Sequence, residues 1–204
     1  MKVIKNRIPI IKNYCRKKTV LDVGCIQHKA IKEESPFWLH KHIKEVAKKV
    51  KGIDILKEEA KELNKKGYNI IIGNAEEIKL SNKFEVIVAG EIIEHISNKG
   101  KFLENMYYHL KKEGHLILTT PNLFALRYQI RNFLNGNVIP NKEHVCWFDY
   151  YTLKELCERH SFKLEKSFYF FNTNTPFYKY LPVKITTLFR KNYAPRILFI
   201  LKKN

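Results

Sequence analysis

Four short stretches hold the residue types most able to do chemistry. "TVLDVGC" carries Asp22, Gly24 and Cys25, "VKGIDIL" carries Asp54 and Ile55, "GNAEEI" carries Asn74 and Ala75, and "AGEIIEHI" carries Gly90, Glu91, Glu94 and His95. A fifth, "EHVCWFD", supplies His144. In each of the four, an acid, amide or glycine closes an apolar run. A carboxylate at such a place is costly if buried alone, so its recurrence at run ends points to a ligand shared between them. Gly24 has no Cβ and lets the backbone come close to that ligand. In "EIIEH", a helix starting near Gly90 would put Glu91, Glu94 and His95 at i, i+3 and i+4 on one face. Two carboxylates and an imidazole gathered there can move a proton or grip a cation.

The first stretch departs from a glycine-rich cofactor loop after its first glycine. Ile26 and His28 stand where two further glycines are expected. The expectation is a working loop in altered form, with the bulkier side chains turned away and Gln27 or His28 offering polar contacts.

Those stretches need a scaffold, and the apolar pattern supplies one. Short continuous apolar runs at "TVLDVG", "VKGIDIL", "YNIIIGN", "FEVIVAG" and "HLILTTPN" alternate with helical spacing at "FWLHKHIKEVAKKV", "KEEAKELNKKG" and "GKFLENMYYHLKKEG", with a short helix near "AEEI". Strand and helix in alternation, with strands apolar throughout, predict a doubly wound α/β fold on a mostly parallel sheet. Ligands in such sheets sit outside the carboxyl ends of the strands. After Pro121 the rhythm breaks into an excursion over about 122–148, with one amphipathic helix and a Gly/Asn/Pro loop, placed to act as a lid. "YTLKELCERH" then reads as a helix with Thr152 as N-cap, and "FKLEKSFYFF" and "RILFILKK" as closing strands around an aromatic, Pro-containing segment.

The four stretches, in this order at successive strand ends, resemble the motifs of class I S-adenosylmethionine-dependent methyltransferases, over roughly residues 18–122. The resemblance implies S-adenosyl-L-methionine as cofactor. Asp22, Gly24, Cys25 and Gln27 would then meet its methionine end, Asp54 its ribose hydroxyls, Ile55 an adenine face, and Asn74 and Ala75 the adenine edge, with Gly90 beside them. Asn74 stands where the family more often has Asp, and still offers an acceptor. The turn "E-x-x-E-H" is similar to that of ubiquinone-pathway O-methyltransferases; the residues expected to be catalytic, without a metal, are His95 and Glu91 on its shared face and His144, which can approach from beyond the excursion. It also resembles the enzymes that methylate the 2′-hydroxyl at the 3′ end of small RNAs, which implies the alternative of a metal held by Glu91, Glu94, His95 and His144. Trp38, near the same mouth, is expected to pack in the core rather than cap the cofactor.

Composition sets the remaining bounds. With 204 residues, 45% of them hydrophobic, the chain suits one domain over 1–204. No apolar run reaches the length of a membrane span, and the basic start is too short in apolar residues for a signal peptide, so a cytoplasmic protein is expected. The scattered Cys15, Cys25, Cys146 and Cys157 suggest reduced thiols. The net charge of +18 is concentrated at the ends: residues 1–18 and 172–204 hold seven Lys/Arg each and no acid. Such ends suit RNA or an anionic membrane surface. The acceptor expected is a small molecule, a lipid-linked intermediate or a glycan, methylated on oxygen. RNA is the alternative, and a non-catalytic accessory subunit, cofactor-binding or degenerate, is a third.

Overall fold

The computed structural model describes residues 1–26, 35–138, 141–171 and 177–204, with residues 177–182 described by backbone alone. Eight strands, β1 (Lys2–Ile4), β2 (Thr19–Val23), β3 (Lys49–Asp54), β4 (Ile70–Ile72), β5 (Phe84–Gly90), β6 (Leu110–Pro121), β7 (Phe162–Phe170) and β8 (Arg196–Lys203), form one sheet in the order β1-β7-β8-β6-β5-β2-β3-β4. Every pairing is parallel except those of β8, which runs antiparallel to β6 and β7. The strand order reverses beside β2, and the carboxyl ends of β2, β3 and β5 open together.

Period-two alternation divides the strand residues between two cores. Leu21, Val23, Ile87, Ala89, Leu116, Leu118, Phe199 and Leu201 face one side, with α4 (Lys99–His109) and α6 (Tyr150–Arg159) packed over them. Val20, Val86, Val88, Ile117, Leu198 and Ile200 face the other, under α1 (Ile8–Cys15) and α2 (Leu39–Lys44). The doubly wound reading therefore holds, with apolar residues on both sheet faces. A third cluster joins Trp38 to Ala60 and Leu63 of α3 (Lys57–Lys65), so Trp38 is a core residue as expected. All four cysteines are free thiols. No helix among the described residues is long and apolar enough to cross a membrane.

Several local expectations are corrected. The helix read over "FWLHKHIKEVAKKV" shrinks to α2, because Lys49 and Val50 pair with Thr19 and Val20 in the sheet. "AEEI" forms turns around Asn74, whose side chain accepts from Glu76 N at 2.9 Å. No helix starts at Gly90: Glu91 takes a left-handed φ of 59° and bends the chain, and residues 93–95 form a turn. The N-cap of α6 is Asp149, with Thr152 reciprocating from the third helical position in a capping box. The basic N-terminal end supplies β1 and α1, and the aromatic segment before β8 folds as α7 (Phe177–Phe189).

The excursion after β6 is pinned at its base. Asn122 Nδ2 donates to the carbonyls of Asn192 and Ala194 at 2.6 and 2.7 Å, and Leu123 N donates to Phe148 O at 3.0 Å. Its helix, α5 (Leu126–Asn135), stops at Gly136, which adopts φ 68°. The returning limb crosses the β5 turn, where Val145 N donates to Glu94 O at 3.0 Å.

Candidate active site

Two loops meet at the carboxyl ends of β2 and β3. Gly24 sits at φ 68°, a backbone conformation that favours glycine, and a Cβ there would also press on the tip of Ile92, 2.8 Å away at Cδ1. Asp54 Oδ2 accepts from Ile26 N at 2.8 Å and Oδ1 from Leu56 N at 3.1 Å. Burial pushes this carboxyl above the ordinary range, against the pull of those amides. Each oxygen keeps a lone pair beyond its backbone bond, the requirement for accepting two vicinal hydroxyls. Ile55 beside it is 71% exposed, an apolar side chain without cover at the mouth of the cleft. Gly73 N donates to Asp54 O, which holds Asn74 and Ala75 next to that mouth. The residues present thus fit a nucleoside ligand.

The altered loop is explained in part. Ile26 is buried with Trp38, Ala60 and Leu63, so the residue at the second glycine position turns into the core and uses its backbone N–H to hold Asp54. Gln27 and His28 lie outside the described residues. Cys25 is also a core residue, and its carbonyl accepts from Trp38 Nε1 at 2.7 Å. Asp22 is 2% exposed and pairs with His40 Nδ1 at 2.8 Å, a partner that sequence reasoning missed. Nothing in the spacing of Asp22 and His40 marks them, because α2 joins them only in three dimensions.

The "EIIEH" turn separates its two carboxylates. Glu91 is taken up by arginines from both ends of the chain: Arg7 Nη1 lies 3.4 Å from its Oε1 and Arg196 Nε 2.7 Å from its Oε2. Burial alone would raise its pKa, but Arg196 and Arg7 outweigh that and keep it below the ordinary range. Glu94, 2% exposed, accepts from Thr120 Oγ1 at 3.0 Å. Burial, reinforced by the Glu91 charge, pushes its carboxyl up to about 8, so it retains its proton at neutral pH.

Glu94, His95 and His144 converge, with one potential ligand atom of each within 4.8 Å of the others. The His95 and His144 rings meet edge to face at 4.7 Å, although 48 residues separate His95 from the carbonyl of Glu143 that fixes it. Because that carbonyl can only accept, its 3.1 Å bond with His95 Nδ1 requires a proton on Nδ1, so that the neutral ring carries its lone pair on Nε2. Burial, then the neighbouring His95, lowers the pKa of His144, whose buried Nδ1 has no hydrogen-bond partner among the described residues. Trp147, 6.1 Å from His144, and Tyr128, 4.7 Å from Trp147, continue the aromatic wall. Of the three residues expected to be catalytic, the structure brings His95 and His144 together and binds Glu91 into an ion-pair cluster instead. Among the four residues of the metal alternative, Glu91 stands outside the convergent group.

A methyltransferase domain model matches residues 7–167. The chain belongs to that family. It is a class I methyltransferase, and S-adenosylmethionine is its cofactor. An uncharacterized protein of Methanocaldococcus jannaschii is 25% identical over 206 residues, covering 90% of this chain and 75% of that protein. A ubiquinone biosynthesis O-methyltransferase of Rickettsia canadensis is 33% identical over 60 residues, which span 29% of this chain and a quarter of the relative's length. Among solved structures, an S-adenosylmethionine-dependent methyltransferase of Archaeoglobus fulgidus superposes with a TM-score of 0.66 at 21% identity, covering 97% and 91% of the two chains. One from Clostridium acetobutylicum superposes at 0.64 and 11% identity, over 96% and 88%. These structures share the fold of this methyltransferase.

Proposed function

We propose that this methyltransferase methylates a hydroxyl oxygen on a small or lipid-linked acceptor, with His95 as the base. The observation that carries the reading is the His95 tautomer, since a lone pair on Nε2 beside a second, neutral imidazole suits it to take a hydroxyl proton. S-adenosylmethionine, when bound, supplies a methyl group on a positively charged sulfur. Asp54 holds its hydroxyls, and Asn74 and Ala75 lie along its base. His95 receives the acceptor's proton at Nε2, and His144 orients the acceptor. Trp147 and Tyr128 give it an apolar wall that keeps water from competing. The excursion over 122–148 forms the acceptor side of the cleft.

Lipid linkage is favoured by what surrounds that opening. Both α5 and α7 leave the sheet at its carboxyl edge, where Pro121 and Phe170 flank Arg196. On α5, Phe133 and Leu134 are 88% and 71% exposed beside Arg131, and on α7, Leu188 and Phe189 are 74% and 84% exposed beside Arg190 and Lys191. Apolar tips among cations suit an anionic lipid surface. Calorimetry with S-adenosylhomocysteine tests the cofactor reading, and absence of binding would favour a degenerate accessory subunit. Sedimentation with phosphatidylglycerol-containing vesicles, compared with phosphatidylcholine alone, tests the surface. Equal partition would remove the lipid reading.

A second reading rests on the convergence of Glu94, His95 and His144, which could also hold a divalent cation and chelate the terminal ribose of an RNA. We expect the purified protein to carry no stoichiometric metal. Elemental analysis that found one ion per chain, removable by chelator with loss of activity, would make RNA the acceptor to test first.

A further inference from the structure

Arg7 and Arg196 form a cationic cluster that the methyl-transfer roles above do not use. Both are largely buried, with side chains 17% and 18% exposed, and the carboxylate in contact with both is Glu91. Two positive charges thus share one negative partner in a poorly solvated place, an arrangement that a further anion would balance. Among the described residues, Arg7 bonds Glu91 and Thr119 through Nη1, and Arg196 bonds Glu91 through Nε. Most of the five donor hydrogens of each guanidinium remain for another acceptor.

The position of the cluster assigns it to the acceptor. Arg7 Nη1 lies 3.7 Å from where a Gly90 Cβ would stand, at the carboxyl end of β5 and one residue before the turn that carries Glu94 and His95. Arg196 opens β8 opposite Pro121, where the excursion begins, and interacts electrostatically with Tyr128 of α5. Arg127 lies over the Tyr128 ring at 4.4 Å and donates to its hydroxyl at 2.6 Å, adding a third cation along the same wall. An aromatic wall that begins at His95 and His144 therefore ends among arginines.

We propose that Arg196 and Arg7 bind an oxyanion on the acceptor, a carboxylate or a phosphate, and so set the distance between that group and the hydroxyl presented to His95. This deepens the acceptor reading and rests on it. A planar acceptor lies along Trp147 and Tyr128 with its anion on the guanidinium forks, which recognise two oxygens at once.

The test uses the full chain saturated with S-adenosylhomocysteine. Calorimetric titration compares 4-hydroxybenzoate, its methyl ester and phenyl phosphate. The acid or the phosphate should bind at least about tenfold more tightly than the ester, and whichever binds better identifies the oxyanion. Arg196→Gln should shrink the difference to about twofold with cofactor affinity retained, and Arg196→Lys should keep part of it. Equal binding of acid, phosphate and ester to the wild-type protein overturns the proposal, as does a failure of all three to bind. Loss of S-adenosylhomocysteine affinity in Arg196→Gln, with discrimination intact, also overturns it by moving the cluster to the cofactor. The wild-type comparison stands even if a variant fails to fold. Absence of S-adenosylhomocysteine binding in the wild type would instead overturn the function proposed above.

Discussion

The two edges of the parallel sheet treat charge in opposite ways. At the amino edge, Glu85 accepts from Thr19 N and Oγ1 at 3.0 and 3.1 Å and from Lys18 Nζ at 3.0 Å. Glu165 there receives Tyr14 and His115 at 2.9 and 2.8 Å. These groups line or border a cavity of about 460 Å³ that includes Asn13, Lys18 and Glu85, and each acid is answered by donors within reach of water. At the carboxyl edge, by contrast, Glu94 is buried and holds its proton, Asp54 is raised by burial, and two arginines share Glu91, which sits in a left-handed conformation worth about 1–2 kcal/mol of strain. One edge lowers the energy of the fold. The other accepts cost where ligands and protons are handled.

The sharpest way to test that contrast is to remove the base. His95→Ala should lower turnover by about 10²–10⁴-fold with S-adenosylhomocysteine affinity unchanged, measured by single-turnover methyl transfer once an acceptor is in hand. A small loss would place the proton elsewhere and weaken the distinction between edges. Glu91→Gln strips the charge that balances Arg7 and Arg196. It should reduce unfolding free energy by about 3 kcal/mol or more in urea titration, because it leaves two buried cations unanswered. Asp54→Ala should weaken S-adenosylhomocysteine binding by about 2–4 kcal/mol by calorimetry. It should also lower the melting temperature, since Ile26 N and Leu56 N lose their acceptor.

The smallest effect belongs to the amino edge. The Thr19 amide, aided by Lys18, outweighs burial and holds the Glu85 carboxyl at about 2, below an unfolded value near ~4.3. A depressed folded pKa contributes stability above the unfolded value and loses it as pH falls toward the folded one. Glu85 is partly exposed, so the contribution is about 1–2 kcal/mol after allowance for solvent screening. Urea titrations should show Glu85→Gln less stable than wild type at pH 7 by that amount, with the gap closing near pH 2. A gap that persists there would mean that shape rather than charge matters at Glu85.

Much of the scaffold was legible because burial on both faces demands apolar runs. The strands at Thr19–Val23, Lys49–Asp54 and Phe84–Gly90, and the acids and glycines that end them, stand out in one dimension. Less legible were segments whose state depends on neighbours. The pattern around Lys49 and Val50 is helical by spacing, yet pairing with β2 makes them strand. "EIIEH" has helical spacing, yet Glu91 bends left-handed and donates its N–H to Thr119 O, so its carboxylate faces Arg7 and Arg196 rather than Glu94. The pairings of His40 with Asp22 and of Arg196 with Glu91 carried no sequence signal, as neither residue lies near its partner along the chain.

From the sequence alone, the succession of β2 to β8 along the chain, the cofactor motifs and the types of group able to move a proton were legible, because these depend on local periodicity and on residue types at element ends. The tertiary structure alone decided which of those groups act together. It set His144 against His95 across 48 intervening residues, locked the His95 tautomer on a carbonyl of the excursion, and withdrew Glu91 into a cluster built from both chain ends. Proton affinity and charge balance depend on burial and on distances of a few ångströms. Those distances exist only once β5, β6 and β8 lie side by side.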